Sequence, residues 1–151
     1  MLSLPCGPSS AGASADDIEA IVGERIKRQD VLYQPGKKIQ LVLGEAALRI
    51  RFGSQQTLLG QLDRLAAVVG LTNVELAVVP FSTPLPVYPL TGFTLYDDAV
   101  LIESITGQQR LHAADEVALY ERFFDQLRHA AAIGPEAVAL IQRVSAELRD
   151  G

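Results

Sequence analysis

Two apolar runs separated by a helix-spaced segment constrain this chain most. Ile39, Leu41 and Leu43 alternate as in a half-buried strand, and "VELAVVPF" (Val74–Phe81) is apolar enough for a central strand. Between them Leu58, Leu62, Leu65 and Val69 recur at i, i+4, i+7 and i+11, one face of a helix that Gly70 ends. Strand, helix, strand over this length predicts a parallel crossover unit, right-handed by default.

The segment "LVLGEAALRI" (Leu41–Ile50) changes phase in its middle. Leu41 and Leu43 define one alternation; Leu48, Ile50 and Phe52 define the other. A continuous strand would put these sets on opposite faces. The reading is a strand to Leu43, a joint at Gly44, and a short helical turn opened by Glu45. Glu45 precedes Arg49 in the favourable i,i+4 order, and a helix N-terminus favours a negative charge there.

Elements are expected on both sides of the crossover. Ser14-x-x-Asp17 resembles a capping box, followed by Ile18, Ile21, Val22 and Ile26 at helical spacing, with the helix ending near Tyr33 before Gln34-Pro35-Gly36. After "STPLPVYPLTG" (82–92), a stiff extended loop, "FTLYD" and "AVLIES" flank a hairpin turn at Asp97-Asp98. "QRLHA" predicts a short fifth strand. Asp115 is a candidate cap for a helix with Val117, Tyr120, Phe124, Leu127 and Ala131 on its apolar face. Gly134-Pro135 separates it from a last helix striped by Val138, Ile141, Val144 and Leu148. The expected fold class is α+β: a mixed sheet of four or five strands with one βαβ crossover, packed by about four helices. Residues 1–14, rich in Gly, Ser, Pro and Ala, read as a flexible tail, and 15–151 as one domain.

Composition restricts function. The 151 residues carry a formal net charge of −5, against broad phosphate binding. The single cysteine, Cys6, forms no intrachain disulfide. No apolar run reaches membrane-span length and the N-terminus lacks a signal-peptide pattern, so a cytoplasmic protein is expected. His112 and His129 lie in no ligand-spaced pattern, and HExxH, GxSxG and phosphate-cradling glycine loops are absent. Neither metal nor cofactor is expected.

Two sets of residues remain as candidates. Glu45 and Glu103 end or interrupt apolar strands, and two carboxylates can divide acid and base roles in a small hydrolase or transferase. The alternative is structural: each pairs with an arginine, Arg25, Arg28, Arg49 and Arg51 being available, since buried charges are costly alone. Phe81, Tyr88, Phe93 and Tyr96 flank the proline loop, where they could bind an apolar ligand or partner or simply fill the core.

In order and spacing, "ERIKRQDVL", "LVLGEAALRIRFGS", "QLDRL", "NVELAVVPF", "GFTLYDD" and "VLIES" resemble an actinobacterial family over about residues 17–150. It is the C-terminal domain, of unknown function, of Xre-type helix-turn-helix regulators of the antitoxin-like or WhiJ type. The resemblance marks Arg25, Arg28, Gln29, Glu45, Ala46, Leu48, Gln61, Leu62, Pro80, Phe81, Gly92, Phe93 and Glu103, none with a transferable catalytic role. It implies a non-enzymatic regulatory domain that senses a signal or binds a partner: a small acidic protein, a helix-turn-helix regulator, or a second copy in a homodimer. Family members carry an N-terminal helix-turn-helix. With only a short tail ahead of the match and no basic recognition helix, this chain is expected not to bind DNA by itself.

Overall fold

A computed structural model describes residues 36–51, 53–85, 91–104 and 106–150. In chain order the elements are β1 (Ile39–Gly44), a 3-10 turn (Glu45–Leu48), α1 (Gln55–Val68), β2 (Val74–Val79), β3 (Phe93–Leu95), β4 (Val100–Ser104), β5 (Gly107–Leu111), α2 (Ala114–His129), β6 (Ala132–Ile133) and α3 (Pro135–Asp150). The helix expected to begin at Ser14, and the tail before it, lie outside the described residues.

β1 and β2 pair in parallel from Ile39↔Val74 to Gly44↔Val79, with α1 as the crossover between them. β6 pairs antiparallel on the other edge of β2, giving the order β1-β2-β6. Because side chains alternate along a strand, the register sorts this sheet's residues onto two buried faces. Leu41, Leu76 and Val78 meet Leu58 and Leu62 of α1 and Ile141 and Val144 of α3. Val42, Ala77 and Val79 meet Phe93 and Val100, together with Val117, Phe124 and Leu127 of α2. Covering on both faces explains the apolar run of β2 after Glu75, from Leu76 to Val79. Each fully buried Val or Leu contributes about 1.5–3 kcal/mol relative to exposure.

β3, β4 and β5 form a separate antiparallel meander. The Tyr96 N–H donates to the Ala99 carbonyl at 2.8 Å, closing the turn at Asp97-Asp98. The single sheet of four or five strands is therefore corrected to two sheets of three. The reason is a long-range pairing: β6 takes the second edge of β2, so the hairpin strands do not extend the sheet there and pack against its face instead. β5, "GQQRL", is exposed over most of its length and makes a polar edge.

Three α-helices occur among the described residues. Ser54 caps α1, its Oγ accepting from the Thr57 N–H at 3.1 Å. Asp115 does not cap α2 as expected. The N-cap is Ala113, which has no side-chain acceptor, and Asp115 and Glu116 lie in the first turn, where their charge favours the helix N-terminus. Gly134, at φ 59°, turns the chain from β6 into α3 in a left-handed conformation suited to glycine. Val138 is partly buried, and Ala137, Leu140, Ile141, Val144 and Ser145 are the buried residues of α3.

Candidate functional site

Parallel pairing places the exits of β1 and β2 side by side. Gly44 leads directly into Glu45, and Val79 into Pro80-Phe81. The Glu45 side chain, 4 % exposed, lies at this joint. Its Oε2 accepts the Phe81 backbone N–H at 3.0 Å. Its Oε1 accepts from Arg49 Nη2 at 2.9 Å and from Arg143 Nη2 at 3.3 Å. Arg49 also reaches Glu147 at 2.7 Å, while Arg143 Nε lies 3.8 Å from Glu147, its i,i+4 neighbour on α3. Two arginines and two glutamates thus join the 3-10 turn, the loop after β2 and the last helix.

The electrostatics follow from this geometry. Burial pushes the Glu45 carboxyl up, but hydrogen bonds from Arg49 and the Phe81 N–H, with the charges of Arg143 and Arg49, outweigh it and hold the pKa below the usual carboxylate range. The Arg49 pKa is raised, chiefly by its hydrogen bonds to Glu45 and Glu147. Such a carboxylate stays ionised near neutral pH, with both oxygens engaged. It serves poorly as a general acid or base and well as a clamp.

What the clamp holds outward is Phe81. The ring is 65 % exposed and has the Arg49 guanidinium 5.8 Å from its centroid, within cation–π range. Ile50, also exposed, follows Arg49 directly. A fixed backbone, an exposed ring and a cation beneath it suit partner contact, where aromatic and arginine side chains dominate binding energy.

The other candidates have different surroundings. Phe93 is buried, edge-on to Tyr120 at 4.9 Å and stacked near Phe123 at 6.0 Å, a core position. Tyr96 is exposed, with Arg110 5.8 Å from its ring. Tyr88, Arg25 and Arg28 lie outside the described residues. Glu103 sits on β4, in the second sheet, where it accepts from Gln108 Nε2 at 2.9 Å. Of the family-marked positions, Glu45 and Phe81 are brought together.

Sequence reasoning missed Arg143 and Glu147, whose i,i+4 spacing on an exposed helix face was the available signal. It also missed a second ion pair at the opposite end of the parallel strands. There Arg128 Nε and Nη2 both donate to the Glu75 carboxylate, the latter at 2.9 Å, and Gln40 Nε2 adds a third donor at 3.2 Å. The Arg128 hydrogen bond is the main reason the Glu75 pKa is lowered. Among the described residues no group of three or more His, Cys, Asp or Glu could hold a metal, and no helix is long and apolar enough to cross a membrane.

A family model described as a domain of unknown function, DUF5753, matches residues 6–143. No curated protein and no solved structure matches the chain.

Proposed function

The chain belongs to the DUF5753 family of domains of unknown function, and from that premise we propose that it is a non-enzymatic regulatory domain of helix-turn-helix transcription regulators. In this reading it is a cytoplasmic domain that binds a partner protein or a small ligand, dimerises, and leaves DNA contact to a helix-turn-helix unit. The observation that carries the proposal is the Phe81 ring, exposed over Arg49 on a backbone fixed by Glu45. The order of sequence segments shared with regulator C-terminal domains supports the regulatory setting. The partner is a helix-turn-helix regulator or a small acidic protein encoded nearby.

A hydrolase or transferase built on Glu45 and Glu103 draws less support. Both Glu45 oxygens are engaged by arginines and a backbone N–H, and Glu103 belongs to the other sheet. The test is co-purification of the chain with proteins encoded beside its gene, read by co-elution on size exclusion. A complex that forms with the wild type and is lost with Phe81→Ala supports the proposal. The absence of any complex, combined with no ligand-induced melting shift, overturns it.

A further inference from the structure

Ligands of parallel α/β sheets ordinarily enter at the carboxyl ends of the strands. Here the Glu45 clamp fills that end, and a recess lies at the opposite one. A groove of about 580 Å³ opens where β1 and β2 begin, among Lys38, Glu75, Arg128, Ile39, Val74 and Ile133. Its volume falls in the range of small-molecule sites, roughly 300–1,000 Å³.

The charges in this groove are unevenly satisfied. Glu75 is well engaged: Arg128 grips it through two nitrogens, and Gln40 donates as well, three donors in all. Arg128 uses Nε and Nη2 for that grip and also feels the charge of Asp125; among the described residues no hydrogen bond is made by its Nη1, and its side chain is 31 % exposed. Among the described residues no carboxylate pairs with Lys38, which is exposed at the mouth. Among the described residues donors thus outnumber acceptors here, beside Ile133 on the same face of the sheet, while Ile39 and Val74 line the groove from the other face. Holding Arg128 on Glu75 also fixes its guanidinium plane, which lowers the entropy lost when it takes a second acceptor.

We propose that this groove binds a small organic carboxylate, its anionic head taken by Arg128 Nη1 and Lys38 and its apolar body lying along Ile133, which shares the Glu75 face of the sheet. This deepens the regulatory reading by giving it a sensor site, but the binding stands apart from partner contact at Phe81, at the other end of the strands.

The probe is 4-phenylbutyrate titrated into the isotope-labelled full chain and followed by amide NMR, with 4-phenylbutanol and inorganic phosphate as controls. The expected result is saturable binding of the carboxylate, with shifts at Gln40, Val74, Glu75, Ile133 and Gly134, and at least tenfold weaker binding of both controls. Lys38→Met, at an exposed position away from the Glu75 pair, should weaken binding about tenfold, as expected for one charge-assisted contact. Arg128→Lys should weaken it at least as much while keeping a cation beside Glu75. The proposal is overturned if the carboxylate binds no better than the alcohol, if phosphate binds as well as the carboxylate, if the shifts cluster elsewhere, or if Lys38→Met binds like wild type. None of these readouts depends on a partner, so failure here leaves the Phe81 reading untouched, and a missing complex leaves this one untouched.

Discussion

The Phe81 backbone N–H donates to the Glu45 carboxylate at 3.0 Å, across 36 positions of sequence. That single bond ties together the two chain exits that parallel pairing brings side by side. It also turns an acidic residue in an apolar run into the residue that fixes the loop after β2. Removing the carboxylate should therefore cost more than a surface ion pair does. Glu45→Ala strands the Phe81 N–H and parts of two guanidinium groups, of which Arg143 can rehydrate because it is largely exposed. The expected loss is about 2–3 kcal/mol in urea unfolding, short of the roughly 3–5 kcal/mol for breaking a wholly buried pair. Glu45→Gln should lose less, since its amide oxygen can still accept from Phe81. Equal losses in the two variants would mean that the backbone bond contributes little.

Acid should weaken the fold through Glu45 and Glu75, whose pKa values both lie below the ordinary 4.5. A carboxyl with a depressed folded-state pKa adds stability that is present in full above its unfolded pKa. That stability is lost as pH falls through the folded value. Unfolding free energy should therefore be flat from pH 7 to about 5 and fall below about 4.5. In a Glu45→Gln, Glu75→Gln double variant the slope below 4.5 should flatten, because these positions no longer take up a proton on unfolding. Urea titrations at pH 7, 5, 4 and 3 measure it; an unchanged slope would assign the acid sensitivity to other carboxylates.

The aromatic candidates should separate by what each ring touches. Phe93, 3 % exposed and packed on Tyr120, should cost about 3–5 kcal/mol when replaced by alanine. Phe81→Ala should change stability by no more than about 0.5 kcal/mol while abolishing partner binding. Thermal melts and co-elution of the same two proteins test both statements. A large destabilisation by Phe81→Ala would move that ring from the binding surface to the core.

Local patterns carried much of this fold in advance, and long-range choices did not. The stripe Leu58–Leu62 and the alternation around Leu41 and Leu76 were readable because burial of a regular element imposes its own period on nearby residues. The hairpin at Asp97-Asp98 was readable from its turn residues. That β3–β5 leave the first sheet was not, because it depends on β6, two residues long and directly after α2, taking the edge of β2. The pairing of Glu45 with Arg49 was legible at four residues' separation. Its pairing with Arg143, 98 positions away, was not, since sequence spacing does not say which helix face meets which strand end. Glu75 and Arg128 escaped for the same reason, 53 residues apart.

Gly44 offers the last test, because the joint does not require a glycine. Its φ of −76° and ψ of 145° are ordinary extended values, and an added Cβ would meet no atom within 4 Å. Replacing a glycine in a compatible conformation removes disorder from the unfolded chain and stabilises by about 0.4–1 kcal/mol. Gly44→Ala should raise the melting temperature slightly and leave partner and carboxylate binding unchanged. Gly134→Ala should do the reverse. Its φ of 59° places it in the left-handed region, where a Cβ costs about 1–2 kcal/mol, so open space around it brings no relief. Melting both variants beside the wild type checks the pair. If Gly44→Ala destabilises, the transition from β1 into the 3-10 turn carries a constraint beyond its backbone angles, and the Glu45 clamp begins one residue earlier than its hydrogen bonds indicate.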